Sequence, residues 1–403
     1  MLKNYISKRW KSGVLLLLLI SYVAFAFTIS RHTAYYDPYS LSGHDSIGFE
    51  KARIVSITSE EVKHDQKHPD LLIGSQNITV NMLTGKYRGK SFSIVNNLNY
   101  DTNFYVKAGQ TVITSVSATS DSKTVNININ SPDRTPYLYL MAAVFILLLC
   151  LIGGKKGFRS VVAIGFTMTS VIFIFVPLLY HGVPPAIAAW ILAVTTSCVT
   201  LFLIGGLERK SLVAILGTIG GSAISTVVEL IFSALTRTSG YTFADTDSLL
   251  AISSHSGLKV GSLFFAAVFI ASLGAVMDIA ISVATSVNEV YQSNPATEKR
   301  TLFISGINVG RDMMGTMANT LILAFTGSSL VVLIQIYTYN MPYYQVMNSN
   351  SIATEIIQAL TGSMAVILTV PMVSFLSAQL LPALGKASKK EPNQPSAASN
   401  EQL

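Results

Sequence analysis

Long apolar blocks are the feature of this sequence that most constrains its fold. A bilayer core about 30 Å thick is crossed by about 20 apolar residues in a helix. Hydrophobic residues make up 50% of the 403 positions and charged residues only 12%, which leaves room for many such blocks. The blocks lie near residues 13–28, 136–153, 160–179, 185–206, 212–235, 260–284, 312–336 and 356–381. The sequence therefore predicts a polytopic α-helical membrane protein with about eight transmembrane helices.

The first block follows a basic N-terminus and reads GVLLLLLISYVAFAFT, which is typical of a signal segment. Ala24-Phe25-Ala26 has the small-x-small form of a cleavage site, so removal of the segment is one interpretation. Nothing else in the sequence marks removal. We therefore favour an uncleaved signal anchor helix over residues 1–29.

Basic residues are distributed unevenly between alternate connections of the predicted helices. Cytoplasmic loops of membrane proteins are enriched in Lys and Arg. The short loops on one side hold only Arg237 and Lys259. The other side holds fourteen basic residues: Lys3, Lys8, Arg9, Lys11, Lys155, Lys156, Arg159, Arg209, Lys210, Lys299, Arg300, Lys386, Lys389 and Lys390. We therefore expect a multi-pass protein with both termini in the cytoplasm and residues 30–134 outside the cell.

Residues 30–134 are polar and show the alternation typical of β-strands. In TVNININ, apolar residues alternate with asparagines, as expected for a half-buried strand. RIVSIT, NITVNML, SFSIV and FYVKAGQTVITSV carry strand signals too, and LTGKYRGK indicates a hairpin loop. We expect a small extracellular all-β domain, an antiparallel barrel or sandwich, inserted after the first helix. A seven-helix membrane domain over 135–385 and a disordered cytoplasmic tail over 386–403 complete the predicted domains.

The composition argues against several classes of partner and cofactor. The net charge of +7 does not indicate nucleic acid, because the basic residues sit in short loops between apolar blocks. Cys150 and Cys198 lie inside apolar blocks and are expected to serve packing. The sequence holds no G-x-x-x-x-G-K-[ST] phosphate loop and no Cys/His metal cluster. We expect no cofactor and no metal; the expected partners are the lipid bilayer, a small solute or ion, and an envelope or membrane protein.

Three acids lie within predicted spans: Glu229, Asp278 and Asp312. An ionisable side chain in a span costs about 2.5 to 3.5 kcal/mol, so its presence needs a reason. Each acid belongs to a polar stripe at helical spacing. The stripes are Thr218, Ser222, Ser225, Glu229 and Ser233; Asp278, Ser282, Thr285 and Glu289; and Asp312, Thr316, Asn319 and Thr326. None of these faces is suited to contact with lipid.

Structural interpretations stay open for two of the stripes. Ser, Thr and Gly on one face let helices pack closely, and Glu229 as a neutral acid can hydrogen-bond a neighbouring helix. Asp278 has no such explanation, because it lies about eighteen residues into the block 260–284. A functional or strictly paired role is therefore favoured for Asp278.

Asp312 has the strongest structural interpretation. It begins its apolar block, so it can cap the start of a helix while Arg311 contributes to the cytoplasmic positive charge. Residues 301–311, with Gly306 and Gly310, would then form a bent lead-in at the membrane surface. One straight helix from 301 to 337 would exceed about 50 Å, which is too long for a single crossing.

Two segments combine an Asp-centred stripe with a Gly-Arg-Asp run: SLGAVMDIAISVATSVNEV and GINVGRDMMGTMANTLILAFTGSSL. This pair resembles the YibE/F-like family of bacterial membrane proteins over about residues 140–385. The β segment with LTGKYRGK is similar to the longer members of that family. The resemblance implies a multi-spanning protein of the bacterial cell membrane that is described as a permease. It implies neither a substrate nor catalytic residues.

The leading hypothesis is a permease or secondary transporter whose acids bind an ion or substrate near the midplane of the membrane. Asp278 is the candidate coupling carboxylate. The other binding candidates are Glu229, Asp312, Asn319, Ser282, Thr316, Arg311 and Glu289.

Two further hypotheses come from other classes of protein. A membrane anchor or sensor would use the β domain to bind a cell-envelope partner. An intramembrane aspartyl protease is a minor alternative, because those enzymes need Tyr and Gly where this chain has Met277 and Arg311. We therefore do not expect an enzyme.

Overall fold

The computed structural model describes residues 47–100, 102–118, 125–242 and 246–389, together with Tyr22 and Thr28. The predicted anchor helix lies almost entirely outside the described residues, as does most of the predicted tail. The chain divides into two compact units, a β-rich unit that ends at Leu148 and a helical unit that continues from Leu149.

The β-rich unit is built on five antiparallel strands. They are β1 (Gly48–His64), β2 (Leu72–Met82), β3 (Ser91–Leu98), β4 (Thr111–Ala118) and β5 (Val125–Pro132). The strands form one sheet in the order β3-β2-β1-β4-β5, so the long β1 lies at its centre. The edge strands β3 and β5 approach one another, and the sheet curves into a half-barrel. The predicted antiparallel β domain is confirmed.

The alternation of side chains explains how the sheet forms its core. In β5, Ile127 is buried whereas Asn126 and Asn128 are exposed. Ile54, Ile78, Val80 and Val112 come from other strands into the same cluster. One strand is shorter than its sequence suggests: FYVKAGQTVITSV becomes β4 only from Thr111, because Gly109 adopts a turn with φ of 85°. LTGKYRGK joins β2 to β3, as predicted.

An ion pair ties the first strand to the segment that follows the last. Nζ of Lys51 lies 2.8 Å from Oδ2 of Asp133. Oδ1 of Asp133 accepts a hydrogen bond of 3.2 Å from the backbone N–H of Thr135, where the first helix begins. These two contacts hold the pKa of Asp133 below its ordinary value of 3.8. The Asp133 carboxylate thus connects the central strand β1 to the start of the first helix.

The remainder of the described chain is helical. The helices are α1 (Thr135–Ser170), α2 (Val176–Tyr180), α3 (Pro185–Gly205), α4 (Arg209–Thr236), α5 (Thr246–His255), α6 (Leu263–Ser293), α7 (Lys299–Ser328), α8 (Leu330–Thr338), α9 (Tyr343–Met347) and α10 (Asn350–Lys389). Among the described residues, five helical segments are long and apolar enough to cross a membrane, or six if the bent pair α7 and α8 counts as one span. A helical membrane protein with a β domain is thus the architecture found.

The first helical segment contains two of the predicted spans. It runs from Thr135 to Tyr180 through a π-helical turn, Val171–Phe175, and its 46 residues would measure about 69 Å if straight. Gly154, with φ of 53° and ψ of −131°, interrupts it. This interruption falls between the predicted blocks 136–153 and 160–179.

The predicted lead-in over 301–311 is wrong. α7 is one continuous helix from Lys299 to Ser328, and the bend of 63° comes after it, at Ser329. Gly306 and Gly310 are packing positions, not hinges. A Cβ at Gly306 would lie 2.6 Å from Oγ of Ser374, and a Cβ at Gly310 would overlap Val370. The glycines allow α7 to approach α10 closely.

α10 is the central helix of the helical unit. Gly217 and Gly221 of α4 lie against Val373 and Thr369 of α10, so these two helices are antiparallel. Val370 and Val373 of α10 belong to the largest buried apolar cluster, together with Val283 and Val287 of α6. Four helices, α4, α6, α7 and α10, therefore share one core, and the acids of the polar stripes are carried on three of them.

Candidate functional site

The depths of Asp278 and Asp312 can be compared because α6 and α7 are antiparallel neighbours. A Cβ at Gly306 would lie 3.0 Å from Cγ2 of Val287, which fixes the register of the pair. Asp278 lies nine residues before Val287 and is therefore level with Gly315. Asp312 is level with Ile281, only three residues from Asp278. The two carboxylates thus lie at depths about 4.5 Å apart along the helix axis.

The same register holds at the other end of the helix pair. Gly362 of α10 lies against both helices, 3.6 Å from Cβ of Ser272 and 3.8 Å from Cδ1 of Leu321, measured from its ideal Cβ position. The register fixed by Gly306 and Val287 also places Ser272 level with Leu321. The depth assigned to the two acids therefore rests on two independent contacts.

Asp278 and Asp312 both point away from the shared core. Both side chains are exposed in the helical unit, as are Arg311, Thr316 and Asn319. We call the set to which they belong the α6–α7 polar face: Gly274, Asp278, Ser282 and Thr285 of α6, and Asn308, Arg311, Asp312, Gly315, Thr316 and Asn319 of α7. Gly274 and Gly315 have open space where a side chain would stand. Six of the eight predicted site residues lie within the α6–α7 polar face, which extends along about three helical turns.

The outward faces of α4 and α10 within their apolar blocks carry large apolar side chains. The outward side chains of α4 include Leu216, Val227 and Leu230, and those of α10 include Leu360 and Ile367. Such surfaces suit lipid tails, whereas a face with two carboxylates and a guanidinium does not. The α6–α7 polar face therefore differs in kind from the outward faces of α4 and α10.

Asp312 does not cap a helix. It is the fourteenth residue of α7, which begins at Lys299, so the capping interpretation is excluded. Arg311 lies equally far from the helix start and is exposed. Among the described residues, neither side chain belongs to an ion pair. A cation and an anion therefore occupy adjacent positions halfway along a helix, with no ion-pair partner among the described residues.

Glu229 occupies a different environment on the core side of α4. Its side chain is 2% exposed. Neither carboxylate oxygen has a hydrogen-bond partner among the described residues, so the predicted bond to a neighbouring helix is not formed. Eight residues separate Glu229 from Gly221, which places it level with Thr361 of α10. An ionised carboxylate without a partner is costly there, so Glu229 needs a proton or a cation.

Glu355 is a half-buried acid of the α4–α10 pair that the sequence did not single out. Its Oε2 is buried without a hydrogen-bond partner, as is Oγ1 of the adjacent Thr354. Glu355 lies eighteen residues, or five helical turns, before Val373, so it shares the face of α10 that meets α4. The sequence does not indicate Glu355 as an acid within a span, because it lies one residue before the apolar block 356–381.

Glu289 stands apart from the other candidates. It is exposed near the end of α6, about 16 Å along the helix from Asp278. Among the described residues, no three His, Cys, Asp or Glu side chains come together as metal ligands would. The arrangement instead offers two acids on an outer polar face, one buried acid, Glu229, and one half-buried acid, Glu355.

Comparison with known proteins identifies the family. The model of the YibE/F-like protein family matches residues 141–383, and that of the YibE/F family N-terminal domain matches residues 49–132. No curated protein and no solved structure matches the chain. The two matched regions correspond to the helical part with its acids and to the five-stranded sheet. The chain therefore belongs to the YibE/F-like family.

Proposed function

We propose that the protein is a membrane permease, a secondary transporter that binds an ion or small solute through carboxylates within the bilayer. The observation that supports this proposal is the α6–α7 polar face. It places two acids at nearly one depth on helices long enough to span a membrane, where an ionisable side chain is retained for a reason. Paired helices with acids near the midplane are typical of transporter binding sites.

The charge of the α6–α7 polar face favours a cation or a solute with a cationic group. Asp278 and Asp312 contribute two negative charges and Arg311 one positive charge, so the face is net negative. Thr316, Asn319 and Ser282 supply neutral oxygen and nitrogen atoms beside the acids. Oγ1 of Thr316 already donates to the carbonyl of Met313 at 2.8 Å, which leaves its lone pairs free to accept.

Glu229 and Asp278 have distinct roles in this proposal. Asp278 borders the path of the solute and binds it directly. Glu229, buried without a hydrogen-bond partner among the described residues, takes up a proton or a cation when the surrounding helices move, and so couples transport to an ion gradient. The contacts of α10 with α4 and α6 place Glu229 about 6 to 10 Å farther than Asp278 from the basic end of the bundle.

The orientation that we propose follows the basic residues. The first residues of α4 and of α7 lie at one end of the bundle and are basic: Arg209, Lys210, Lys299 and Arg300. We place this end in the cytoplasm and the β-rich unit outside the cell, with both chain termini inside.

Thiol labelling tests whether the α6–α7 polar face meets water. In a background without Cys150 and Cys198, Thr316→Cys is expected to react with a membrane-impermeant, water-soluble thiol reagent, because only a wet face exposes a thiolate. The control is Val227→Cys. Val227 is also exposed and lies within about four residues of the same depth, but on the apolar face of α4, so it is expected to stay unmodified. Equal labelling of the two positions would contradict the proposal.

The same background tests the orientation. Lys155→Cys is expected to react with the impermeant reagent in inside-out vesicles and not in intact cells. Labelling from the outside of intact cells would invert the proposed topology.

A further inference from the structure

A cavity lies at the basic end of the helical unit, where the turn between α3 and α4 meets the last part of α6. Its volume is about 310 Å³. The polar side chains on its wall are Glu208, Arg209, Lys210, Asn288, Tyr291 and Gln292. The cavity is remote from the acids of the α6–α7 polar face: Asn288 is about 15 Å along α6 from Asp278. None of its residues belongs to the proposed transport site.

The start of α4 forms one side of this cavity. α4 is 28 residues long and begins at Arg209, with no acidic residue in its first turn. Glu208, the residue before it, makes no side-chain hydrogen bond to the first backbone N–H groups. The backbone N–H of Ser211 donates to the carbonyl of Glu208 at 3.1 Å, which leaves the N–H groups of Arg209 and Lys210 for a ligand, and the helix dipole adds positive potential. Arg209 and Lys210 place two cations at the same point.

Asn288 provides an independent indication of a ligand. Its side chain is 6% exposed and lines the cavity. Among the described residues its carboxamide makes no hydrogen bond, and its atoms are not among the fully enclosed unpartnered ones, so the amide opens onto the cavity. A bound group that accepts a hydrogen bond would satisfy the Nδ2 donors of Asn288. The buried amide and the helix start therefore favour the same ligand, an oxyanion.

The acid on the cavity wall does not prevent anion binding. Nζ of Lys210 lies 3.1 Å from Oε2 of Glu208, and the Glu208 side chain is 59% exposed. An exposed ion pair contributes little and rearranges readily. With two cations and one acid, the wall has a net positive charge.

We propose that this cavity binds a phosphate group, held by Arg209, Lys210, the first N–H groups of α4 and the carboxamide of Asn288. A volume of about 310 Å³ is at the lower end of the range for small-ligand sites, so it accommodates a phosphate with a small attached group. Two sources present such a group at a membrane surface: a free phosphate compound and the headgroup of an anionic phospholipid. The phosphate chemistry is common to both.

The test uses purified full-length protein in detergent and two probes, inorganic pyrophosphate and phosphatidylglycerol. Binding of pyrophosphate is followed by calorimetry, and retention of the lipid by native mass spectrometry. Wild-type protein is expected to bind at least one of them. Arg209→Gln and Asn288→Asp are each expected to weaken that binding by about tenfold or more, because each removes a hydrogen bond to a charged group. Asn288→Asp keeps the size of the side chain, and its unfolding temperature without ligand shows that the fold persists.

The matched control is Arg300→Gln, which removes an exposed cation near the start of α7, at the same end of the bundle but outside the cavity. It is expected to leave binding unchanged. Binding of pyrophosphate alone identifies a free phosphate compound, and retention of lipid alone identifies a headgroup; either supports the proposal. Failure of both probes to bind wild-type protein would overturn it, as would equal loss in Arg300→Gln and Arg209→Gln. These results do not depend on transport activity, so the two proposals can fail separately.

Discussion

Asp278→Asn is expected to abolish the function of the protein while leaving its insertion and folding intact. Asn keeps the size of the side chain and most of its hydrogen bonds but removes the charge and the titratable proton. An amide is also less costly within a bilayer than a carboxylate, so the amount of protein in the membrane is expected to be equal or higher. The measurement is complementation in a strain that lacks the gene, with the protein quantified in the membrane fraction.

Two further variants complete this experiment, one as a control and one as a second test of the site. Glu289→Gln makes the same acid-to-amide change on the same stripe of α6, but about 16 Å away near the helix end, and is expected to retain activity. Asp312→Asn is expected to impair activity, because Asp312 lies halfway along α7 at nearly the depth of Asp278. Full activity of Asp278→Asn would remove Asp278 from the site.

Gly310→Leu is expected to lower the free energy of unfolding, whereas Gly315→Leu is expected to leave it unchanged or slightly higher. A side chain at Gly310 would overlap Val370, so Leu forces α7 away from α10 and costs about 1 to 3 kcal/mol of folding free energy. Gly315 has nothing within 4 Å of its Cβ position, and the change to Leu there is expected to be neutral or slightly stabilising. Thermal unfolding of the purified variants measures both effects.

The activity of Gly315→Leu distinguishes two hypotheses: that the α6–α7 polar face borders a path for the solute, and that it only contacts lipid. Gly315 is level with Asp278, so a Leu there would occupy the path that we propose and is expected to reduce activity strongly in a well-folded protein. If the face only contacted lipid, a larger apolar residue would be tolerated. Normal activity of Gly315→Leu would therefore count against a path along this face.

The sequence was sufficient for elements that depend on local pattern. The alternation of Ile127 with asparagines predicted a strand, and the sheet has it with Ile127 buried. The apolar blocks predicted membrane helices because length and hydrophobicity are properties of each segment alone. The motifs around Asp278 and Asp312 were also specific enough to indicate the family, which the family match confirms.

The sequence was insufficient where neighbouring helices decide the outcome. Gly306 and Gly310 resembled a hinge, but Ser374 and Val370 of α10 approach them closely, and the helix continues through both. A straight helix over 301–337 is too long for one crossing, and this predicted a bend near residue 311. The helix instead breaks at Ser329. The sequence offered no reason to select Asn288, a neutral residue next to the charged Glu289. Its significance comes from burial without a hydrogen bond, which only the packing of α3, α4 and α6 reveals.

Measurement of transport itself tests the central claim most directly. Ion and small-solute contents would be compared, without preselection, between a strain that lacks the gene and the same strain expressing wild-type, Asp278→Asn or Glu289→Gln protein. We predict that wild-type and Glu289→Gln protein restore the same solute difference and that Asp278→Asn protein does not. If the protein is instead an anchor for its β-rich unit, no solute will differ between the deletion strain and its wild-type complement, and that result would contradict a permease.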